Sequence, residues 1–196
     1  MGPRIKVCRD GVLPKRYIRH LPFPSGMEVV RPLRVGVIGG NHIEAVLRLQ
    51  AEEVGRLLAR AGADIICGGM GGAMEAVCKG AAEAGGRSIG FLPDETTHRA
   101  NPFVAIPLAT GLGYARNYLI VHNSDALIAI GGSEGTLNEM GAALNMGLTV
   151  VSLESWEVDR LRPLRRGKLL HATGARQAVE FALEAARKDA ARKRKV

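Results

Sequence analysis

The chain has 196 residues, of which 46% are hydrophobic, 23% are charged and 4% are aromatic. This length suits one domain, and the composition excludes a largely disordered chain. No run of about 18 uncharged apolar residues occurs, and no apolar stretch follows the basic N-terminus, so we expect neither a membrane span nor a secretory signal peptide. The three cysteines fit no zinc spacing, so we expect reduced thiols in a cytoplasmic protein without a metal site.

The net charge of +8 is concentrated at the two ends of the chain. Residues 1–34 carry +6 and residues 187–196 carry +5, which leaves −3 for residues 35–186. Basic tails bind nucleic acid without sequence preference, but this chain has few aromatic side chains on which single strands stack. A nucleic-acid-binding module is therefore the least favoured function, and we expect two solvated ends on a mildly acidic body.

Residues 1–33 hold five prolines and no sustained periodicity, which predicts an irregular basic arm. From residue 34 onward, short apolar runs typical of buried strands alternate with segments whose apolar residues recur at the spacing of an α-helix. The predicted strands are, in chain order, 35–39, 64–67, 87–91, 103–108, 125–130 and 148–153. The predicted helices are 41–60, 73–84, 114–122, 136–146 and 174–188. Residues 93–102 are predicted to form a polar loop, and the polar and basic residues 155–173 predict no element.

This alternation with almost wholly apolar strands is typical of a parallel sheet covered by helices on both faces. We therefore predict a single Rossmann-like, doubly wound α/β domain over residues 34–188, followed by a basic tail over 189–196. The first helix is expected to begin with Asn41 as its N-cap, because Glu44 stands three residues later in a capping-box arrangement.

Two glycine-rich turns, over residues 68–72 and 131–135, each join a predicted strand to a predicted helix. Glycines let backbone N–H groups approach a ligand closely, and a helix N-terminus offers unpaired donors that suit a phosphate. In a doubly wound sheet both turns lie at the carboxyl edge, where ligands bind. Neither turn matches the dinucleotide or Walker A pattern. A phosphorylated ligand is the favoured interpretation, and tight turns without a ligand are the alternative.

Several side chains near these turns have both a functional and a structural interpretation. Thr136 adds a hydroxyl donor, and Glu139 either faces the ligand or complements the helix N-terminus. Arg116 either contacts the ligand or is a surface arginine, and its neighbour Asn117 either binds the ligand or caps a turn or helix. Tyr114 is expected to pack rather than to stack on a ligand.

The sequence Gly-Gly-Ser-Glu-Gly-Thr-Leu-Asn-Glu at residues 131–139 resembles the signature P-G-G-x-G-T-x-x-E of a family often mislabelled as lysine decarboxylases. That family includes the LONELY GUY phosphoribohydrolases, which act on nucleoside 5′-monophosphates, and the molybdenum-cofactor carrier proteins. The resemblance extends over residues 34–153 and includes the segments 111–117 and 124–126. It implies a Rossmann-like fold and homodimers or tetramers, for which the helix with Met140, Ala143 and Leu144 is the candidate interface.

In the phosphoribohydrolases an arginine and the glutamate of the signature form the catalytic pair, and Arg116 and Glu139 stand at the matching positions. The chain departs from that pattern at four positions, which hold Asn117, Ile120, Gly131 and Ser133. These departures place it closer to the cofactor-carrier branch. The ligand-binding residues that the turns and the resemblance imply are Gly39, Gly40, Gly69, Met70, Gly71, Gly72, Arg116, Asn117, Gly132, Ser133, Gly135 and Thr136.

The favoured function is a carrier or binding protein for a phosphorylated ligand, either a nucleotide or a pterin-type molybdenum cofactor, with no cofactor of its own. The alternative is an enzyme that cleaves the N-glycosidic bond of a nucleoside 5′-monophosphate. In that enzyme Glu139 would stabilise an oxocarbenium-like transition state or activate water, and Arg116 would orient the phosphate or the ribose. Both residues serve either function, so the sequence leaves open whether the protein is an enzyme.

Overall fold

The computed structural model describes residues 31–158 and 166–193, and the arm predicted for residues 1–33 lies almost entirely outside them. Seven strands form one sheet in the order β4-β3-β2-β1-β5-β6-β7, and every neighbouring pair is parallel. The strands are β1 (Arg34–Gly39), β2 (Asp64–Cys67), β3 (Ser88–Leu92), β4 (Ile106–Ala109), β5 (Ala126–Ile130), β6 (Thr149–Leu153) and β7 (Lys168–Ala172).

Five α-helices accompany these strands. They are α1 (Ala45–Arg60), α2 (Ala73–Glu83), α3 (Asn117–His122), α4 (Glu134–Asn145) and α5 (Ala175–Lys193), and a 3-10 turn over Gly113–Arg116 leads directly into α3. Strand β5 shows how the sheet divides them. Ala126, Ile128 and Ile130 join the core beneath α1, α2 and α5, whereas Leu127 and Ala129 join the core beneath α3 and α4. This alternation confirms the predicted Rossmann-like fold with helices on both faces.

The strand order reverses direction between β1 and β5. The chain winds outward from β1 through β2 and β3 to β4, then returns to lie beside β1 and winds outward again through β6 to β7. The loops that follow β1 and β5 therefore diverge and leave a crevice at the carboxyl edge of the sheet. In open α/β sheets this switch point is where ligands bind.

Helices α1 and α2 pack unusually closely, because each contributes a glycine to the contact. A methyl group at Gly80 would clash with the carbonyl oxygen of Glu52, and one at Gly55 would clash with the carbonyl oxygen of Val77. The backbones of the two helices therefore touch directly. This contact holds α2, and with it the turn that precedes α2, against the central strands.

The predicted start of the first helix was wrong. Helix α1 begins at Ala45, and Glu44 stands at its N-cap in an extended conformation, so Asn41 caps nothing. The residues before Glu44 are held in a loop instead, because the carbonyl oxygen of Gly40 accepts a hydrogen bond of 3.0 Å from the backbone N–H of Ala73. Tertiary contact overrides the local capping signal here.

Two further differences lie near the C-terminus. Strand β7 falls inside the segment that predicted no element, because an edge strand is half exposed and shows only a short apolar run between Lys168 and His171. Helix α5 continues to Lys193, past its predicted end at residue 188 and into the predicted tail. In the two described ranges no helix is both long enough and apolar enough to cross a membrane.

Helix α4, the candidate interface between copies, directs the three residues that identified it into the core. Met140, Ala143 and Leu144 are at most 4% exposed and pack in the core beneath α3 and α4. The opposite side of α4 is exposed and includes Gly141, around whose added methyl group nothing would lie within 4 Å. Any contact between copies through this helix would use that opposite side.

The close contact of α1 and α2 predicts opposite effects for two glycine-to-alanine changes. Gly80→Ala should lower the free energy of unfolding by about 1–3 kcal/mol, because the added methyl group overpacks a rigid backbone contact. Gly141→Ala should raise it by about 0.5–1 kcal/mol, because an exposed helix gains a better helix former. Urea unfolding of the two variants measures both, and a stabilising effect of Gly80→Ala would contradict the contact.

Candidate functional site

A cavity of about 590 Å³ opens at the switch point on the carboxyl edge of the sheet. Its walls come from the end of β1, the loop after β2, the 3-10 turn before α3 and the first turns of α4. This volume lies within the range of small-molecule sites. The doubly wound topology therefore brings together, in one concave site, segments up to about a hundred residues apart in the sequence.

The start of α4 forms one wall of the cavity. The first backbone bond of this helix runs from the N–H of Leu137 to the carbonyl oxygen of Ser133 at 3.1 Å. Ser133 and Thr136 form a capping box in which the Ser133 side chain accepts from the N–H of Thr136, so the N–H groups of Glu134 and Gly135 are the two left without a partner in the helix. The backbone N–H of Ser133 donates to Oγ1 of Thr136 at 3.4 Å, which leaves the hydroxyl proton of Thr136 available as a donor. Such a helix start is suited to an anion.

The turn before α4 is held by Trp156, the only tryptophan in the chain, which is not among the residues that line the cavity. Its indole Nε1 donates to the carbonyl oxygen of Ser133 at 3.1 Å. A methyl group at Gly132 would lie 2.9 Å from the same Nε1 atom, so glycine is needed for the indole to approach. Gly131, with φ of 57°, makes the turn out of β5. Gly131 and Gly132 therefore shape the turn and position the start of α4.

Arg116 and Glu139 meet at the floor of the cavity. The distance between Nη1 of Arg116 and Oε1 of Glu139 is 3.7 Å, and each side chain is less than 10% exposed. Within the described ranges Nε of Arg116 is buried and has no hydrogen-bond partner. A methyl group at Gly68 would lie 2.6 Å from Nη2 of Arg116. Because Gly68 has no side chain, the guanidinium can pack directly against the backbone at the end of β2.

Burial dominates the electrostatics of this pair. It lowers the pKa of Arg116, and the charge of Glu139 opposes that effect only in part. It also raises the pKa of Glu139 to about 7, against the favourable charge of Arg116. The pKa of this carboxyl group thus lies near neutral pH, where the group is not fully ionised and the guanidinium lacks a complete counter-ion. An anion in the cavity would supply the missing charge and hydrogen-bond acceptors.

The turn after β2 is fixed by Asn101, which the sequence indicated only as part of a polar loop. Its side-chain Nδ2 donates to the carbonyl oxygens of Gly69 and Met70 at 3.1 and 3.0 Å, and its backbone N–H donates to Gly69 at 2.9 Å. Its Oδ1 accepts from the N–H of Phe103 at 3.0 Å. Asn101 is 8% exposed, so this network is buried and holds Met70 at the cavity wall.

The structure brings eight of the predicted site residues to the cavity wall: Gly39, Met70, Arg116, Asn117, Ser133, Gly135, Thr136 and Glu139. Five other predicted ligand-binding glycines are not among the lining residues: Gly40, Gly69, Gly71, Gly72 and Gly132. At least three of these five have a packing reason. Gly72 lies against the backbone of Gly40, Gly69 against Gly90, and Gly132 against Trp156. These contacts support the turns that shape the cavity.

Other lining residues escaped the sequence analysis. They include Asn41, Gly68, Met74, Tyr118 and Asn138. Tyr114 also lines the cavity and is 91% exposed, so the expectation that it packs was wrong. No sequence signal separates an exposed tyrosine from a packed one. Gly68 did carry a signal, because a glycine directly after a buried strand often marks a close approach.

Two of the three cysteines lie in the described part of the chain, and both are buried in the core as free thiols. The Sγ atoms of Cys67 and Cys78 are 3.6 Å apart. Their mutual contact and burial in apolar surroundings raise the pKa of the Cys67 thiol, as suits a packing role. Over residues 31–158 and 166–193 no group of three or more His, Cys, Asp and Glu side chains is arranged to hold a metal ion.

The sheet topology and the cavity at its switch point define a Rossmann-like α/β protein. Residues 32–183 match the model of the SLOG cluster4 family, and the chain belongs to that family.

The molybdenum cofactor binding protein from Rippkaea orientalis is 31% identical, with a TM-score of 0.73 over 79% of this chain and 97% of that one. The Moco carrier protein from Chlamydomonas reinhardtii is 29% identical, with a TM-score of 0.71 over 81% of this chain and 99% of that one. An uncharacterised protein from Archaeoglobus fulgidus is 43% identical over 122 residues, which are 62% of this chain and 80% of its own length. These likenesses confirm the resemblance to the cofactor-carrier branch.

The DNA processing protein A from Helicobacter pylori is 18% identical, with a TM-score of 0.59 over 78% of this chain and 81% of that one. At this identity the likeness shows the fold alone.

The raised pKa of Glu139 predicts a specific pH dependence of stability. From about pH 4.5 to pH 7 the folded protein keeps a proton on Glu139 that the unfolded chain releases, so burial of this carboxyl destabilises the fold increasingly as the pH rises. Glu139→Gln should therefore gain stability relative to the wild type, by up to about 3 kcal/mol between pH 4.5 and pH 8.

Urea unfolding at several pH values measures this difference. The control is Glu134→Gln, which removes an exposed carboxylate from the same helix. A difference between Glu139→Gln and wild type that stays constant with pH would contradict the assigned burial of this group.

Proposed function

We propose that this protein binds a small phosphorylated heterocycle, a nucleotide or a pterin-type molybdenum cofactor, at the carboxyl edge of its sheet and carries it without changing it. The observation that carries the proposal is the buried guanidinium of Arg116, which lines the cavity with an unpaired Nε atom and an incomplete counter-ion. Leaving such a group unsatisfied costs free energy. A phosphate beside it supplies both charge and acceptors.

The start of α4 is the proposed seat of the phosphate. Ser133, Gly135 and Thr136 line the cavity there, and the backbone N–H groups of residues 134 and 135 and the Thr136 hydroxyl are available to donate. The positive end of the helix dipole adds to the attraction. Arg116, which meets Glu139 at the floor of the cavity, would then contact the same phosphate from a second element of the fold.

The charges of the cavity favour a ligand with a single phosphate. Among the described residues that line the cavity, Arg116 is the only basic one, whereas Glu134 and Glu139 are acidic. A chain of two or three phosphates would meet too little positive charge to compensate its own. Dinucleotides and nucleoside triphosphates are therefore disfavoured, as the absence of their glycine signatures also indicates.

The remainder of the cavity suits a flat, polar ring. The side chains of Asn41, Asn117 and Asn138 carry both donors and acceptors for the edge of a heterocycle. Met70 and Met74 add apolar, adaptable surface. Two relatives named for the molybdenum cofactor support a pterin-type ligand, which would be the cargo of this protein rather than a resident cofactor.

The proposal predicts a measurable role for the Thr136 hydroxyl. Calorimetric titration with AMP, GMP and the monophosphate of 6-hydroxymethylpterin should show binding of at least one ligand. Thr136→Val should weaken that binding about 3- to 10-fold, because one hydrogen bond to the phosphate is lost. Thr149→Val, an equal change at the opposite edge of the sheet, should leave it unchanged. Failure of the wild type to bind any of the three at millimolar concentration would contradict the proposal.

An N-glycosidic hydrolase is the second candidate, and one observation favours it. A carboxyl group with a pKa of about 7, buried beside an arginine in a cavity, is suited to proton transfer at neutral pH. In glycoside hydrolysis such a group stabilises an oxocarbenium-like transition state or activates water. Glu139 would have that role, and Arg116 would orient the phosphate.

Incubation with nucleoside 5′-monophosphates separates the two candidates. A carrier should return the ligand intact, with no free base and no ribose 5-phosphate detected by chromatography. Release that Glu139→Gln abolishes, with ligand affinity retained, would identify a hydrolase and overturn carriage without chemistry. Release that persists in Glu139→Gln would instead point to a contaminating enzyme.

A further inference from the structure

Both tyrosines in the described part of the chain lie at the mouth of the cavity. Tyr114 is 91% exposed and Tyr118 is 51% exposed, and both line the cavity together with Arg116. Tyrosine rings carry a large apolar area that folded proteins normally bury in part. With only eight aromatic residues in 196, two exposed rings at one opening lack a packing explanation and indicate a binding role.

The backbone carries the two rings on one continuous helical segment. Tyr114 belongs to the 3-10 turn over Gly113–Arg116, and Tyr118 follows four residues later in α3. Arg116 and Asn117 stand between them and are at most 7% exposed. The segment thus directs a cation and an amide inward and two aromatic rings to the opening.

The segment that presents Tyr114 is fixed before any ligand arrives. The backbone N–H groups of Gly111 and Gly113 donate to the carbonyl oxygens of Asp94 and Pro93 at 2.9 and 3.0 Å. The hydroxyl of Thr110 donates to the carbonyl oxygen of Leu92 at 2.7 Å. These bonds tie the turn to the end of β3. A ring on a fixed backbone loses little conformational entropy when it binds, which favours affinity.

From this placement we propose that Tyr114 and Tyr118 are the stacking residues for the planar ring of the ligand. The inference rests on the proposed function and adds to it the group that recognises the heterocycle. The phosphate contacts the start of α4 and Arg116, and the ring lies against the tyrosines at the opening. Stacking tolerates any flat ring, so the tyrosines would supply affinity and the asparagine amides would supply selectivity.

The test compares probes with and without a planar heterocyclic ring. Ribose 5-phosphate carries the phosphate on a sugar with no such ring, whereas GMP and the monophosphate of 6-hydroxymethylpterin carry the planar ring as well. Tyr114→Ala and Tyr118→Ala should each weaken binding of the ring-bearing probes about 5- to 100-fold, because a base–aromatic stack is lost. Both should leave the affinity for ribose 5-phosphate within about twofold. Tyr114→Phe and Tyr118→Phe, which keep the ring, should restore binding of the ring-bearing probes.

The control variant is Leu112→Ala, which removes a half-exposed apolar side chain from the same segment but outside the cavity lining. It should leave all affinities unchanged. Equal losses for ribose 5-phosphate and the ring-bearing probes, or phenylalanine variants as weak as the alanine variants, would overturn the stacking role. Two further results would overturn the stacking role. One is binding of the ring-bearing probes by the alanine variants at wild-type affinity, and the other is a change in the oligomeric mass of those variants that accounts for their loss of affinity.

The wild type alone tests the proposed function, so the two failures are distinguishable. If the wild type binds no phosphorylated probe, the proposed function is wrong, and the stacking role fails with it. If the wild type binds ring-bearing probes and the tyrosine variants bind them equally well, only the stacking role is wrong.

Discussion

Arg116 and Glu139 lie 3.7 Å apart in a place where water reaches neither side chain well. Burial pushes each of them toward its neutral form, and their mutual attraction offsets this only in part. A pair in this condition stabilises the fold poorly and responds strongly to a third charge nearby. The cavity above it, the two free N–H groups at the start of α4 and the glycine that admits the guanidinium together indicate a pair arranged for an anion rather than for stability.

The sheet gives this pair its setting. The reversal of strand order between β1 and β5 opens the crevice, and each loop around it is fixed by contacts made outside the cavity. Asn101 holds the turn after β2, Gly40 and Ala73 join two neighbouring loops, and the indole of Trp156 holds the turn before α4. The walls are therefore rigid enough to present donors in a set geometry, as tight recognition of a small ligand requires.

The central strands, both glycine turns and the pairing of Arg116 with Glu139 were all within reach of the sequence, because buried parallel strands are apolar runs and the signature glutamate has a fixed spacing. Edge strand β7 could not be predicted, since a half-exposed strand carries fewer apolar residues and shows a weaker pattern. The start of α1 was missed because a tertiary hydrogen bond to Gly40 outweighs a local cap. Asn101 and Tyr114 lay beyond prediction because their roles depend on long-range contacts and exposure, which leave no local trace.

The hydrogen bond from Trp156 to Ser133 has a practical consequence. Since the chain holds one tryptophan and its indole contacts the turn that begins α4, all indole fluorescence of the protein arises beside the proposed phosphate site. A ligand that alters this turn changes the polarity or hydrogen bonding of a single fluorophore, without background from other indoles. The molecule thus carries a built-in optical reporter of its own occupancy, readable without a label.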